Sequence, residues 1–279
     1  MSAKQRSAEA SPSTHDTAAA EWPRWLWEQV STLVLAVAIA LGIRAFAIEP
    51  FRIPSGSMLP TLLIGDHLFI NKFVYGIKIP FTDYRLPGLR DPERGDVVVF
   101  SVAETRDRMK QYFPADRRPD LPRTDFIKRI VGIPGDHVQV SLGGRVRVNG
   151  EVVVASPTGD VFVDDYGRRL SVRTEALEGC AHSVLDDPNQ AGLPIQDLSL
   201  TLEPGRYFMM GDNRDHSNDS RAWGTVRFSE LKGPAFILYW SWDVNGNALE
   251  FLKPTNWWSA DKRWGRVFQR VECDDPPPA

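Results

Sequence analysis

Cysteine is scarce in this chain of 279 residues. Cys180 and Cys273 are too few for a disulfide framework and lack the spacing of metal ligands, which excludes a disulfide-stapled or zinc-held fold. They stand either as two thiols, the plainer reading, or as one bridge in an oxidising compartment. An excess of one charge is missing too. With 33 basic and 36 acidic residues, a net charge of -3, there is no electrostatic case for a nucleic-acid partner. Nothing repeats at a fixed period, so repeat architectures are excluded as well.

Long hydrophobic runs are equally rare, and the single one is informative. Residues 30–48 are interrupted only by Ser31, Thr32, Gly42 and Arg44, with Trp22, Trp25 and Trp27 gathered in front. A stretch of about 19 residues with aromatic anchors at one end and an Arg able to snorkel at the other fits a membrane-spanning helix. A cleaved leader is a second reading, because Ala45-Phe46-Ala47 has a small-x-small form. The long leading tail with Glu9, Asp16, Glu21 and Glu28, and Arg44 beside the scissile bond, argue against it. A buried core helix is the third, since the clean run 30–43 is about fourteen residues long. A retained anchor is the expectation; the flanking Lys and Arg are too balanced to orient it.

What remains reads as a foldable β-protein. The composition, 42% hydrophobic and 25% charged, excludes disorder of the whole chain, although residues 1–20, rich in Ala, Ser and Thr, read as a disordered tail. Short apolar or β-branched runs at 97–100, 126–131, 138–140, 207–210 and 235–242, bounded by Gly, Pro and Asp, predict strands. Residues 145–153 alternate around Asn149-Gly150, the strongest hairpin signal in the chain. The mixed-charge, Pro-bearing stretch 101–125 reads as a long surface loop, and the end after Asp274 as a Pro-rich tail.

Three stretches carry chemistry. Pro54-Ser55-Gly56-Ser57-Met58-Leu59-Pro60-Thr61 favours a sharp turn that exposes Ser57, yet Pro-Ser-Gly-Ser alone is ordinary turn composition. Phe126-Ile127-Lys128-Arg129-Ile130-Val131 places Lys128 on one strand face with Phe126 and Ile130, and Arg129 on the other with Ile127 and Val131. A Lys among apolar neighbours is a candidate for desolvation, the condition under which its amine becomes a base for a Ser hydroxyl. The bland alternative is a Lys that snorkels off a strand edge. The run Gly211-Asp212-Asn213-Arg214-Asp215-His216-Ser217-Asn218-Asp219-Ser220-Arg221 lacks the Gly and terminal Glu of a calcium loop. A Ser-His-Asp triad through His216 is disfavoured, because Ser217 is its neighbour and no Gly-x-Ser-x-Gly elbow exists.

Taken in order, residues 50–66, 94–100, 125–136 and 211–224 resemble the bacterial type I signal peptidases, the membrane-anchored Ser/Lys class of peptidase family S26. The resemblance implies a mainly β fold: a single N-terminal transmembrane helix followed by an all-β signal-peptidase-type catalytic domain with a β-rich insert. The corresponding boundaries are a cytoplasmic tail 1–28, an anchor 29–48, a catalytic core 49–140 and 207–272, an insert 141–206 and a tail 273–279. It implies Ser57 as nucleophile, Lys128 as general base, Ser217 as the group that orients the lysine amine, and Ser55 as an oxyanion-hole hydroxyl beside the Ser57 N–H. Phe51, Ile53, Leu62, Leu68, Val99, Phe126 and Ile127 fall on positions lining two shallow pockets. Asp212 with Arg129, and Asp219 with Arg221, fall on structural ion pairs. Phe126 stands where Tyr is frequent and His216 where Asn is common.

The implied function is removal of signal peptides from secretory preproteins after a small-x-small sequence. The setting is the bacterial cytoplasmic membrane, with the catalytic domain on the outer side. No cofactor, metal or nucleic acid is called for, and a monomer is expected, with the lipid bilayer and preproteins as partners. Ser57 lies about nine residues beyond the span, so it works within about 30 Å of it. A self-cleaving repressor, which shares a related Ser/Lys core, would need a DNA-binding domain where the apolar run stands. A catalytically silent anchored homologue acting as a binding module is the alternative from another class; the joint presence of Ser57, Lys128 and Ser217 argues against it. The basic and Trp-bearing stretch 257–267 reads equally as an interfacial membrane contact or as a final core strand packed by Val267 and the following Phe268.

Overall fold

The computed structural model describes residues 23–79, 82, 84–104, 112–113, 123–141, 145–153, 155–189, 197–243 and 261–273. The stretch 1–20 and Trp257 and Trp258 lie outside them. The chain divides into two units, Met1–Gly42 and Ile43–Ala279.

The apolar run forms helix α1 (Arg24–Phe46), begun by Pro23, whose carbonyl accepts the N–H groups of Leu26 and Trp27. Its 23 residues extend about 35 Å, longer than the roughly 30 Å hydrocarbon core of a bilayer. Within it Trp25–Gly42 is long and apolar enough to cross a membrane, and none of that window is buried. Leu33, Val34, Leu35 and Leu41 are all exposed, so the core-helix reading does not hold: a soluble core helix hides its apolar face. The boundary 29–48 also shifts, because the helix starts at Arg24 and Ile48 already belongs to a strand.

All named strands pair antiparallel. The main path of the large sheet runs β1 (Ile48–Arg52), β2 (Asp66–Asn71), β15 (Leu231–Asp243), β3 (Val97–Glu104), β5 (Arg123–Gly132), β13 (Arg206–Met210), β14 (Val226–Arg227). Off it, β4 (Tyr112–Phe113) pairs with β3 and β16 (Asp261–Lys262) with β15. The reason the 97–100 run is apolar at every position is that both faces of β3 are buried. Val97 and Val99 join one cluster with Ile53, Met58, Leu62 and Leu68; Val98, Phe100 and Val102 join another with Ile130, Tyr207 and Trp223.

A second sheet, in the order β12 (Leu198–Thr201), β6 (His137–Val140), β7 (Val146–Val148), β8 (Glu151–Val152), contains the hairpin around Asn149-Gly150. Both turn residues have positive φ, 54° and 85°, the conformation that Asn-Gly supplies cheaply. A third sheet is made of β9 (Ala155–Val163), β10 (Arg169–Leu177) and β11 (Cys180–Asp186). In the second sheet β6, which precedes residue 141, pairs with β12 and β7.

One expectation needs correction, and two readings the sequence left open are decided. Stretch 101–125 is not wholly loop: β3 continues to Glu104, Ala103 and Glu104 pair with Phe113 and Tyr112, and β5 begins at Arg123. Its charged residues obscured the far end of β3, which pairs with β5 on one side and β4 on the other. The cysteines are not thiols but a disulfide joining the start of β11 to Cys273, with Cα atoms 5.1 Å apart. Finally, Phe268 is 73% exposed with φ 65°, so no core strand is packed by it, and Trp264 lies edge-on to Trp240 in the 3-10 turn Trp264–Arg266.

Candidate active site

Ser57 stands in the 3-10 turn Gly56–Met58, between β1 and β2. Met58, Leu59 and Leu62 are buried and fasten this turn from below. From the side, Asn213 donates its N–H to the Ser57 carbonyl (3.2 Å) and its Nδ2 to the Gly56 carbonyl (2.9 Å). Ser55, exposed and extended at the N-cap, makes no side-chain cap bond.

Lys128 lies in β5 opposite Val98, and its Nζ reaches Ser57 Oγ at 2.5 Å. It is 2% exposed, with its amine 5.8 Å from the Phe126 ring centre. Burial lowers its pKa from 10.5 to about 8, outweighing the opposite pull of Asp219 and Asp212. A hydroxyl and an amine in this contact, with the amine drawn toward neutrality, form a nucleophile and a base for its proton.

The next residue along the strand points the other way. Arg129 donates to both carboxylate oxygens of Asp212, at 2.9 and 2.7 Å, and to the Gly95 carbonyl. Thr61 donates to Asp212 as well, which links the pair to the Ser57 turn. Burial pushes the Asp212 carboxyl up, but Arg129 and Thr61 hold it below its ordinary value. Arg221 meets Asp219 through two bonds of 2.8 Å, and the Gly211 N–H also donates to Asp219.

Ser217 is fully buried, but among the described residues its Oγ has no hydrogen-bond partner. The bond to the Lys128 amine that the resemblance implied is therefore not made. The hydroxyl stays close enough to Asp219 to help hold that carboxyl below its usual range. It is beside the Ser57 turn all the same, because a Cβ on Gly211 would stand 2.2 Å from Ser217 Oγ and 2.5 Å from the Ser57 carbonyl oxygen. Only glycine leaves this space.

The residues assigned to the pockets do not form one group. Ile53, Leu62, Leu68, Val99 and Ile127 share a cluster with Phe51 packed on it, whereas Phe126 packs with the other cluster, near Phe100. Strand alternation is the reason: Phe126 and Ile127 face opposite sides of β5.

Several site residues escaped sequence reasoning. Glu175 is held down to about 2 against the upward push of burial, by Arg214 and His182. His182 is buried between Glu175 and Asp212, and burial together with Arg129 lowers its pKa. Glu175 and Arg214 are far apart in sequence, so no local pattern announces them; for Asn213 the dense polar run 211–221 was the available signal.

The family model described as signal peptidase, peptidase S26, matches residues 26–240. A signal peptidase I of Pseudomonas aeruginosa is 39% identical over 216 residues, covering 73% of this chain and 69% of the relative. The signal peptidase I of Pseudomonas fluorescens is 38% identical, over 73% and 69%. That of Haemophilus influenzae is 31% identical, over 88% and 76%. A solved signal peptidase I structure from Enterococcus faecalis is 22% identical, with a TM-score of 0.29, over 53% of this chain and 98% of that one. On the family match and the extent of these relatives, the chain belongs to the signal peptidase family, peptidase S26.

Proposed function

We propose that this protein is a membrane-anchored serine endopeptidase that removes signal peptides from secretory preproteins after a small-x-small sequence, by a Ser57/Lys128 dyad. The contact of 2.5 Å between a buried Lys128 Nζ and Ser57 Oγ carries the reading. Ser57 Oγ attacks the scissile carbonyl while neutral Lys128 takes its proton. Developing charge on the carbonyl oxygen is met by the Ser57 N–H and the Ser55 hydroxyl, which no cap bond occupies. The lysine then returns the proton to the leaving amine, and later takes one from the water that hydrolyses the acyl-enzyme. Ser217 and Asp219, and on the other face Arg129 and Asp212, hold the surroundings of the amine.

Ile53, Leu62, Leu68, Val99 and Ile127 form the core under Phe51, which is only partly buried, so the small side chains of the cleavage sequence are taken to rest beside Phe51 on this apolar floor. The catalytic unit works outside the cytoplasm, at the inner membrane that α1 crosses. Its disulfide supports this, since such bonds persist in oxidising compartments. The relatives named signal peptidase I support the substrate class.

The test is cleavage of a preprotein in detergent. Ser57→Ala and Lys128→Ala should each abolish it with folding retained; cleavage near the wild-type rate in either variant overturns the dyad. An inactive wild type would favour the silent binding module.

A further inference from the structure

A line of polar contacts runs from the β9–β11 sheet to the nucleophile, and the reaction steps above leave it unused. Arg168, in the turn between β9 and β10, is gripped by Asp164 through Nε at 2.6 Å, and its Nη1 lies 3.0 Å from His216 Nδ1. On the opposite side of the ring, His216 Nε2 lies 2.9 Å from Asp187 Oδ2, just past the end of β11. A guanidinium only donates, so Nδ1 must accept; the ring proton then sits on Nε2 and is donated to the carboxylate. The neighbours thus select one neutral tautomer. The Asp187 N–H donates in turn to Asp215 Oδ2 at 2.6 Å, closing the contact between the sheet and the 211–221 turn.

His216 ends the 3-10 turn Arg214–His216, a three-residue segment with no side-chain cap bond at its start. Such a segment has little stability of its own and takes its position from what holds its ends. At one end stands the His216 ring. At the other, Asn213 accepts the His216 N–H at 3.2 Å and itself donates to the Ser57 and Gly56 carbonyls. The path from an exposed turn of the insert to the nucleophile is therefore continuous.

We propose that His216 is a positioning residue, which transmits the fixed place of Arg168 and Asp187 through Asn213 to the Ser57 turn and so holds Ser57 Oγ against Lys128. The proposal rests on Ser57 being the nucleophile. A displacement of about 1 Å at a reacting group lowers turnover by up to about 100-fold, so a loosened turn acts on kcat and leaves substrate binding largely alone.

The experiment compares H216L, H216N, R168M and the H216L/R168M double variant of the full-length protein in detergent, on a peptide with a small-x-small site. It reads kcat, KM and thermal midpoint, with S57A alongside. H216L should lower kcat about tenfold at nearly constant KM, and R168M should lower it by a smaller factor. H216N, which keeps one donor and one acceptor, should recover most of the loss, and the double variant should be no slower than H216L because both act through one contact. If H216L does not fold, R168M, a change in an exposed turn, decides the matter by its own kcat. Values of kcat within twofold of wild type in both single variants, a loss confined to KM, or equal impairment in H216N and H216L would overturn the proposal. Residual cleavage by S57A would remove the nucleophile assignment and this proposal with it; a dead S57A with an unaffected H216L strikes the positioning role alone.

Discussion

In the proposed dyad, Lys128 trades stability for chemistry. Its amine is a base only when neutral, and a pKa of about 8 makes roughly one molecule in ten competent at pH 7, against fewer than one in a thousand at 10.5. Turnover should rise with pH through about 8 and level off above it; an onset near 10 would show that burial does not tune the amine. The sign of the linkage follows. Because the folded pKa lies below the unfolded one, the unfolded chain binds more protons between 10.5 and 8, and stability falls as pH drops through that window. Lys128→Met should be inactive yet more stable than wild type at pH 7, by up to ~3 kcal/mol, with the gain shrinking as pH is raised from 8 toward 10.5. Chemical denaturation across that range measures it. At Gly211 the constraint is space alone, and Gly211→Ala should drive Ser217 and the Ser57 carbonyl apart and suppress kcat at least tenfold.

On the scale of the element, strand β5 serves two purposes because its period is two. Lys128 goes to Ser57 and Arg129 to Asp212, on opposite faces, and a one-residue slip in register would exchange them. Both members of the Arg129–Asp212 pair are 1% exposed. Arg129→Gln should therefore cost about 3–5 kcal/mol, since it strands a buried carboxylate, whereas replacing both partners by Met and Leu should recover most of that stability. Urea midpoints for the single and double variants decide between a pair that stabilises and one that is merely matched.

At the scale of the whole molecule, a disulfide ties distant parts of the second unit. The Cys180–Cys273 bridge spans a sequence separation of 93, and removing it with serines should lower stability by on the order of 4 kcal/mol, visible as a lower thermal midpoint. Residues beyond Gly42 form their own unit. Deletion of residues 1–42 should move the protein from the membrane to the soluble fraction while peptide cleavage persists. Protein extracted from membranes should keep its helix; an intact mass corresponding to a chain starting at Ile48 would identify α1 as a removed leader.

Much of this was legible in the residues themselves because it is local. The apolar run 30–48, the alternation about Asn149-Gly150, and the opposed faces of Lys128 and Arg129 each follow from a periodicity of the backbone, and the family resemblance rested on ordered stretches that each lie close together in sequence. What only the tertiary structure decided depends on residues far apart in the chain. The sequence left thiols and a bridge both open, and the disulfide formed because β11 and the C-terminal segment meet. Ser217 lost its expected bond to Lys128 though it stayed beside Ser57, and Arg168, His216 and Asp187 met across a sheet and a turn. Each of these turns on a distance between elements that nothing in the sequence encodes locally.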